Sequence, residues 1–361
     1  MTYSWLNEAF AWLGPVAAQA REVTFCKDRV FAFAGAAAVA EYTAPAPLPV
    51  DEPIAVSWQA VKTIDWSGVT SFKVGKALEL GLYGGKVKLP QAASIFDPEA
   101  IVTEGPSYPA TDFKVALAAV LPAVARDVAG AWQGNVHIQG DLVAGTTSGS
   151  TAMRFVTLPY ELERQAEVPY DAAKMLSSLP LDDEAEVFFD GSLDIMGTKM
   201  VKGKWVEYVA GQSFAGMTVV SGRGSLRVPL AHSTPIDMRG YIKAQLDAST
   251  HHVNISPELG NLLRTINALK GMGSYPYVIL SFGEDGVTVN SVHVERAVVA
   301  AEYADNAIPP YGVRVQTGML DVTAREWLRI GLSGELSPVI IHDDNATTLV
   351  MPMKPVEEKA E

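Results

Sequence analysis

Cysteine is almost absent: Cys26 is the only one in 361 residues. An intrachain disulfide is therefore excluded, as is a zinc site built on several cysteines, and a reducing compartment is the expected home. No uninterrupted apolar run reaches the length a membrane-spanning helix needs. Charge is sparse at 19% and basic charge sparser, with 28 Lys and Arg against 41 Asp and Glu for a net of −13. That balance argues against a nucleic-acid partner on its face. A total cannot, however, reveal a basic inner surface beneath an acidic exterior. Catalytic signatures are missing too. There is no Gly-x-Ser-x-Gly elbow, Walker A loop or His-Glu-x-x-His, and Gly222-Arg223-Gly224 lacks the third glycine of a dinucleotide fingerprint.

What is present is an evenly mixed, 48% apolar chain with no segment biased enough to stay unfolded, and too long for one compact core. Two or three domains are expected. Residues 1–20 are apolar and end in Ala-Ala-Gln-Ala, like a signal peptide, but a basic n-region is lacking and Glu8 interrupts the run. Trp5, Leu6, Ala9, Phe10 and Leu13 recur at helical spacing, so an amphipathic first helix is expected.

One strand ending occurs three times. Leu349-Val350-Met351-Pro352-Met353, Arg227-Val228-Pro229 and Lys88-Leu89-Pro90 are apolar strands closed by proline, the last two after glycine turns. Similar endings between them, at Ala44-Pro45, Leu158-Pro159 and Ile308-Pro309, divide each repeat in two. Leading helices are expected at 4–18, 111–125 and 256–271. The first two carry a late proline, Pro15 and Pro122, that should kink or end them, and the third opens on Ser256-Pro257-Glu258. Short second helices are expected at 57–64, 170–179 and 321–327, each followed by paired strands: 69–74 with 78–83, 185–189 with 205–209, and 328–332 with 336–342. Helix, strands, helix, strands, three times over, is an α+β plan with domains at 1–106, 107–242 and 243–361. Such a chain reads as a scaffold, not an enzyme.

The stretch from Leu328 to Ile341, then Asp343-Asp344-Asn345 and Leu349-Val350-Met351-Pro352-Met353-Lys354, resembles the C-terminus of the bacterial DNA polymerase sliding clamp, the DNA polymerase III beta subunit. Thr146 to Met153 with Leu158-Pro159, and Pro235-Ile236-Asp237-Met238-Arg239, resemble that family's middle domain and its junction with the third. The resemblance implies three similar clamp domains, each with two helices packed on antiparallel sheets, in a crescent that pairs with a second copy as a homodimer ring. It implies a processivity factor without enzymatic activity or cofactor, working in the cytoplasm with double-stranded DNA, a DNA polymerase and a clamp loader. The divergence suggests a bacterial virus as source, which would place the protein in the host cytoplasm.

Position by position, the resemblance implies a hydrophobic partner-peptide pocket of Trp132, Thr147, Gly149, Ser150, Thr151, Ala152, Pro235, Arg239, Pro338, Leu349, Val350, Met351, Pro352, Met353 and Lys354. Ser150 and Thr151 stand where the family commonly has histidine and arginine, and Val356 to Glu361 extend past the family's usual end. Sliding calls for weak, sequence-independent attraction to phosphates, so a few cations on lining helices suffice. Arg21, Lys114, Arg126, Lys174, Arg264, Lys270 and Arg325 are the candidates, with Ala268 and Leu269 implied at the dimer contact.

Competing readings are a virion or tail structural protein, also acidic, β-rich and repetitive, and a hydrolase or lectin-like binder with a site on its loops. The run His342-Asp343-Asp344-Asn345 reads as a hairpin turn rather than a metal site, His251-His252 as a polar linker, and Asp182-Asp183-Glu184 as a solvated loop.

Overall fold

A computed structural model describes residues 3–92, 101, 103–125, 132–147, 152–233, 237–268, 277–291, 294–316, 327–343 and 345–353. The chain mixes helices with antiparallel sheets and divides into two compact units, Met1–Ala118 with Arg164–Thr234, and Ala119–Glu163 with Pro235–Glu361.

In the first unit an eight-stranded sheet runs Ile54–Ser57, Glu22–Phe25, Arg29–Phe33, Val39–Thr43, Gly224–Pro229, Gly216–Ser221, Glu186–Asp190, Ser107–Pro109. Its centre is an edge-to-edge join between distant segments, with Tyr42 opposite Gly224 and Val39 opposite Arg227. A separate meander, Val69–Val74, Ala77–Leu82 and Gly85–Pro90, matches the strand pair expected there.

Helix α1, Trp5–Ala20, buries Leu6, Leu13, Val16 and Ala17 completely. Phe10 joins Phe25, Trp66 and Phe72 in an aromatic cluster with ring spacings of 5.2–6.0 Å. The helix expected over 4–18 forms, and Pro15, expected to kink or end it, does not end it. A proline removes one intrahelical bond, and the buried face on both sides of it carries the helix on to Arg21, whose left-handed backbone (φ 64°) caps it through Ala17. The second proline behaves as expected: α3, Ala110–Val120, ends there and Leu121–Ala123 forms a 3-10 turn. The short helices are α2, Trp58–Val61, and α4, Tyr170–Ser177.

One strand pairing expected from the sequence is corrected. Glu186–Asp190 pairs not with the segment around Trp205 but with Gly216–Ser221 and Ser107–Pro109. Trp205 belongs to a long hairpin, Leu193–Val201 with Lys204–Ser213, that forms a two-stranded sheet of its own.

In the second unit the strands follow the order Asn135–Gln139, Leu142–Thr146, Ala152–Thr157, Thr347–Val350, Val339–His342, Leu328–Leu332, His251–Ile255, Ala301–Tyr303. Here too one join links distant segments, Ala152–Thr157 with Thr347–Val350. A four-stranded sheet, Ala297–Val299, Gly286–Ser291, Tyr277–Gly283 and Val313–Gln316, closes the core over α6, Glu258–Ala268. The Ser256 hydroxyl accepts from the Glu258 N–H at 3.4 Å, as an N-cap should. His251-His252, expected as a linker, opens a strand in register with Leu332 and Gly331. Helix α5, Met238–Asp247, falls where only a junction was expected: the Asp237 carboxylate accepts from Gly240 N–H at 2.8 Å, and Met238 and Ile242 are buried. The helix expected at 321–327 lies, but for Trp327, outside the described residues.

Candidate partner site and lining cations

The candidate pocket residues gather around the join in the second unit. Ala152 faces Val350, Met153 faces Leu349 and Arg154 faces Thr348. Side chains of opposed residues share a face, and faces alternate along a strand, so the two faces of the join have different neighbours. Ala152 and Val350 enter the larger core with Val339, Ile341 and Val253. Leu349 enters a second, smaller cluster with Leu142, Ala144, Phe155, Ile340, Met238 and Ile242, against which Trp132 and Met153 pack.

Leu349 and Val350 are thus both buried, and exposed apolar surface begins just past them. Met351 is 38% exposed and accepts a 3.6 Å contact from the Tyr241 hydroxyl, while Pro352 and Met353 are half-buried. The Met353 N–H donates to the Arg314 carbonyl at 2.7 Å, which fixes the chain after Pro352. Because Val339 opposes Val350, the buried Pro338 comes at the same end of the sheet as Met351. Tyr241 belongs to α5, a helix invisible to periodicity because its buried positions are only Met238 and Ile242. The Asp237 cap was the one signal that could have found it.

Polar groups frame this surface. Thr147 accepts from the Ala152 N–H at 3.0 Å and so closes the turn between its two strands. The Trp132 carbonyl lies 2.6 Å from His137 Nε2, and its ring is 6.0 Å from the imidazole. Arg239, over half exposed, pairs with Asp141 at 3.1 Å and Glu161 at 3.5 Å. Gly149, Ser150, Thr151, Pro235 and Lys354 lie outside the described residues.

The expected lining cations are unequal. Arg21 is exposed at the cap of α1 and Lys174 is exposed in the last turn of α4. Arg264 is exposed on α6, its guanidinium donating to Asn261 Oδ1 at 2.6 Å. Lys114 is half-buried and donates to the Leu179 carbonyl at 2.6 Å, so its ammonium ties α3 to the end of α4. Arg126, Lys270 and Arg325 lie outside the described residues, as does Leu269, while Ala268 ends α6 with its side chain exposed.

Titration shifts follow packing and not chemistry. Burial, then the hydrogen bond to Glu8, pushes the Tyr42 phenol up to about 12. Burial also raises Glu41, against the pull of Arg29 at 3.0 Å. Burial lowers His342, with Arg329 and His252 adding repulsion. Among the described residues no three His, Cys, Asp or Glu side chains come together as metal ligands, and the Asp343 carboxylate serves Arg154 and its own turn.

No protein-family model matches the sequence, and a search of curated proteins finds no match. Solved structures do match. The DNA polymerase III beta subunit of Thermotoga maritima aligns over 99% of each chain with a TM-score of 0.74 at 11% identity. The DNA polymerase sliding clamp of Pseudomonas aeruginosa aligns over 98% of each chain with a TM-score of 0.71 at 15% identity. A sliding clamp of Bartonella birtlesii, solved with griselimycin bound, aligns over 98% of this chain and 99% of its own with a TM-score of 0.71 at 12% identity. Across nearly its whole length, this chain therefore has the fold of the DNA polymerase III beta subunits, the bacterial sliding clamps.

Proposed function

We propose that the protein is a DNA sliding clamp: a non-enzymatic ring that encircles duplex DNA and tethers a polymerase. The observation that carries this reading is the agreement in fold over 98–99% of both chains. Within each unit one sheet is continued edge to edge by a strand from a distant part of the sequence, a construction suited to joining repeated domains into a larger curve. The domains are 1–106, 107–242 and 243–361, and the ring closes between two copies near Ala268 and Leu269. Arg21, Lys174 and Arg264 supply the mobile, sequence-independent attraction that sliding needs, in a chain otherwise too acidic to grip DNA.

Client proteins, the polymerase and clamp loader among them, dock short apolar peptides beside Met351, Pro352, Met353, Trp132 and Tyr241. Methionine and proline suit that task because a flexible thioether repacks around differing side chains. No described helix is long and apolar enough to cross a membrane, and the protein works beside DNA in the cytoplasm.

Negative-stain imaging of the purified protein tests the reading directly. A closed ring of six similar lobes around a duplex-sized hole is expected. Tubes or sheets would assign the chain to virion structure, and compact particles without a hole would also defeat the clamp reading.

A further inference from the structure

Three short meanders can be compared inside this chain. In two of them, Val69–Val74 through Gly85–Pro90 and Leu328–Leu332 through Thr347–Val350, each strand passes straight to its neighbour. In the third, Glu186–Asp190 pairs directly with Gly216–Ser221, yet the chain between them leaves the sheet as the Leu193–Val201 and Lys204–Ser213 hairpin. The excursion is not needed to complete the sheet, since Asp190 and Gly216 are already partners. A Lys202-Gly203 turn with both residues at positive φ closes its far end, the backbone a two-residue hairpin loop requires.

The hairpin exposes what a solvated hairpin does not. Trp205 is 70% exposed, Met200 60%, Val209 53% and Met196 47%. Registration puts all four on one face, Met196 opposite Val209 and Met200 opposite Trp205, with Thr198 and Glu207 between them. The other face carries Lys199 opposite Val206, Lys204 opposite Val201, and Tyr208, over whose ring the Lys199 ammonium sits at 4.8 Å. Lys199, Lys202 and Lys204 fall in a stretch, residues 195–206, that holds no acid, although the chain as a whole carries −13.

Lysines alone would be the usual protection of an exposed strand edge. They do not account for a face that exposes Trp205, Met200, Val209 and Met196 around a single polar pair, Thr198 and Glu207, which marks an interaction surface. Among the described residues the outer edge of Leu193–Val201 has no strand partner, and that of Lys204–Ser213 is met only at its last residue by the isolated Gln165–Ser213 bridge.

We infer that the outer edge of Leu193–Val201 receives an extended segment of a partner protein in which apolar and acidic residues alternate. Added as a third strand, such a segment places its apolar side chains beside Met196 and Met200 and its carboxylates on the face of Lys199 and Lys204. The edge of Lys204–Ser213 suits it less, because Glu207 stands on the apolar face of that strand. Two hairpins packed face to face on a second copy do not fit: one hairpin face is far below the roughly 800 Å2 per partner of a stable interface. Single-stranded DNA would use the lysines and Trp205 but leave Met196, Met200 and Val209 without a role. This inference does not depend on the clamp reading.

The test uses a fluorescein-labelled peptide of alternating Leu and Glu, about eight residues to match the exposed strand, and a second with Lys in place of Glu. Anisotropy is read against the full-length protein, the M200S/W205S variant and the K199E/K204E variant. Circular dichroism melts confirm that these surface changes leave the fold intact. The acidic peptide is expected to bind wild type and to weaken at least about tenfold in each variant, as when interface anchors are removed. The basic peptide is expected to bind only K199E/K204E. Equal binding of the acidic peptide to wild type and variants, or no binding at all, would overturn the inference. So would tighter, lysine-dependent binding of a single-stranded oligonucleotide, which would make the hairpin a nucleic-acid surface. A wild-type oligomer that dissociates in M200S/W205S would assign the face to a second copy and overturn it equally.

Discussion

Arg154 and Asp343 form a bidentate ion pair, 2.8 and 3.2 Å, with 8% and 0% of their side chains exposed. Further hydrogen bonds surround it. Arg154 donates to the Ala119 carbonyl at 2.6 Å and to Thr348 Oγ1 at 3.2 Å, and Asp343 accepts from the Asn345 and Ala346 N–H groups. The pair clamps Ala152–Thr157 to the turn before Thr347–Val350, at the end of that strand away from Met351.

Removing one charge of this pair leaves the other buried and unmatched. Arg154→Met should cost about 3–5 kcal/mol of unfolding free energy in urea titration, the usual penalty for a stranded buried charge. Adding Asp343→Asn to it should recover part of that loss. A double variant as unstable as the sum of the singles would show that the two groups do not act together.

Gly224 stands in the other strand join, opposite Tyr42, and a Cβ built there would lie 2.4 Å from the Trp12 indole. Trp12 is 2% exposed and donates to the Ser225 carbonyl at 3.3 Å, so it has little room to move. Gly224→Ala should lower stability by about 1–3 kcal/mol through overpacking. Thermal melting checks this, and an unchanged midpoint would contradict it.

Leu349 and Met351 should separate stability from binding. Leu349→Ala opens a cavity in the cluster of Phe155, Ile340 and Ile242, at about 2–5 kcal/mol by the usual cost of buried leucine truncation. Met351→Ala, at an exposed position, should stay within about 0.5 kcal/mol of wild type while weakening capture of apolar client peptides. Calorimetry and peptide anisotropy read the two effects.

His342 makes stability depend on pH. Its imidazole is held below the usual 6.5 by burial and then by Arg329, so the folded protein binds the proton less readily than the unfolded chain. Stability is therefore complete above 6.5 and declines as pH falls from there toward the depressed folded value. Melting temperatures at successive pH values should show that fall, and His342→Gln, which can still meet Thr347 at the former 2.9 Å contact, should flatten it.

Much of the plan was legible because it is local. The buried stripe of α1, the Ser256 cap and the glycine turns around Leu82–Gly85 state which residues face inward and where the chain reverses. Even there local rules were outweighed: Pro15 does not end α1 because the packed face on either side of it holds the helix together. The near-identical runs Ala38-Val39-Ala40-Glu41-Tyr42 and Val299-Ala300-Ala301-Glu302-Tyr303 also took different roles. The run ending in Glu41-Tyr42 lies at the join with Gly224–Pro229 and sends its tyrosine hydroxyl to Glu8. The run ending in Glu302-Tyr303 pairs with His251–Ile255 and sends its tyrosine hydroxyl to the Gly283 and Gly286 carbonyls.

By itself the sequence determined the α+β class and the repeated strand endings, since each depends on periodicity or turn chemistry within a short window, whereas the candidate residues around Met351 were named by the family resemblance alone. Only the tertiary structure decided that Ala152–Thr157 pairs with Thr347–Val350, that Arg154 meets Asp343 from 189 positions away, and that the Trp205 segment leaves its sheet altogether. A strand's own residues specify its buried face. Which edge it joins depends on complementarity with a strand elsewhere in the chain, and no local pattern carries that information.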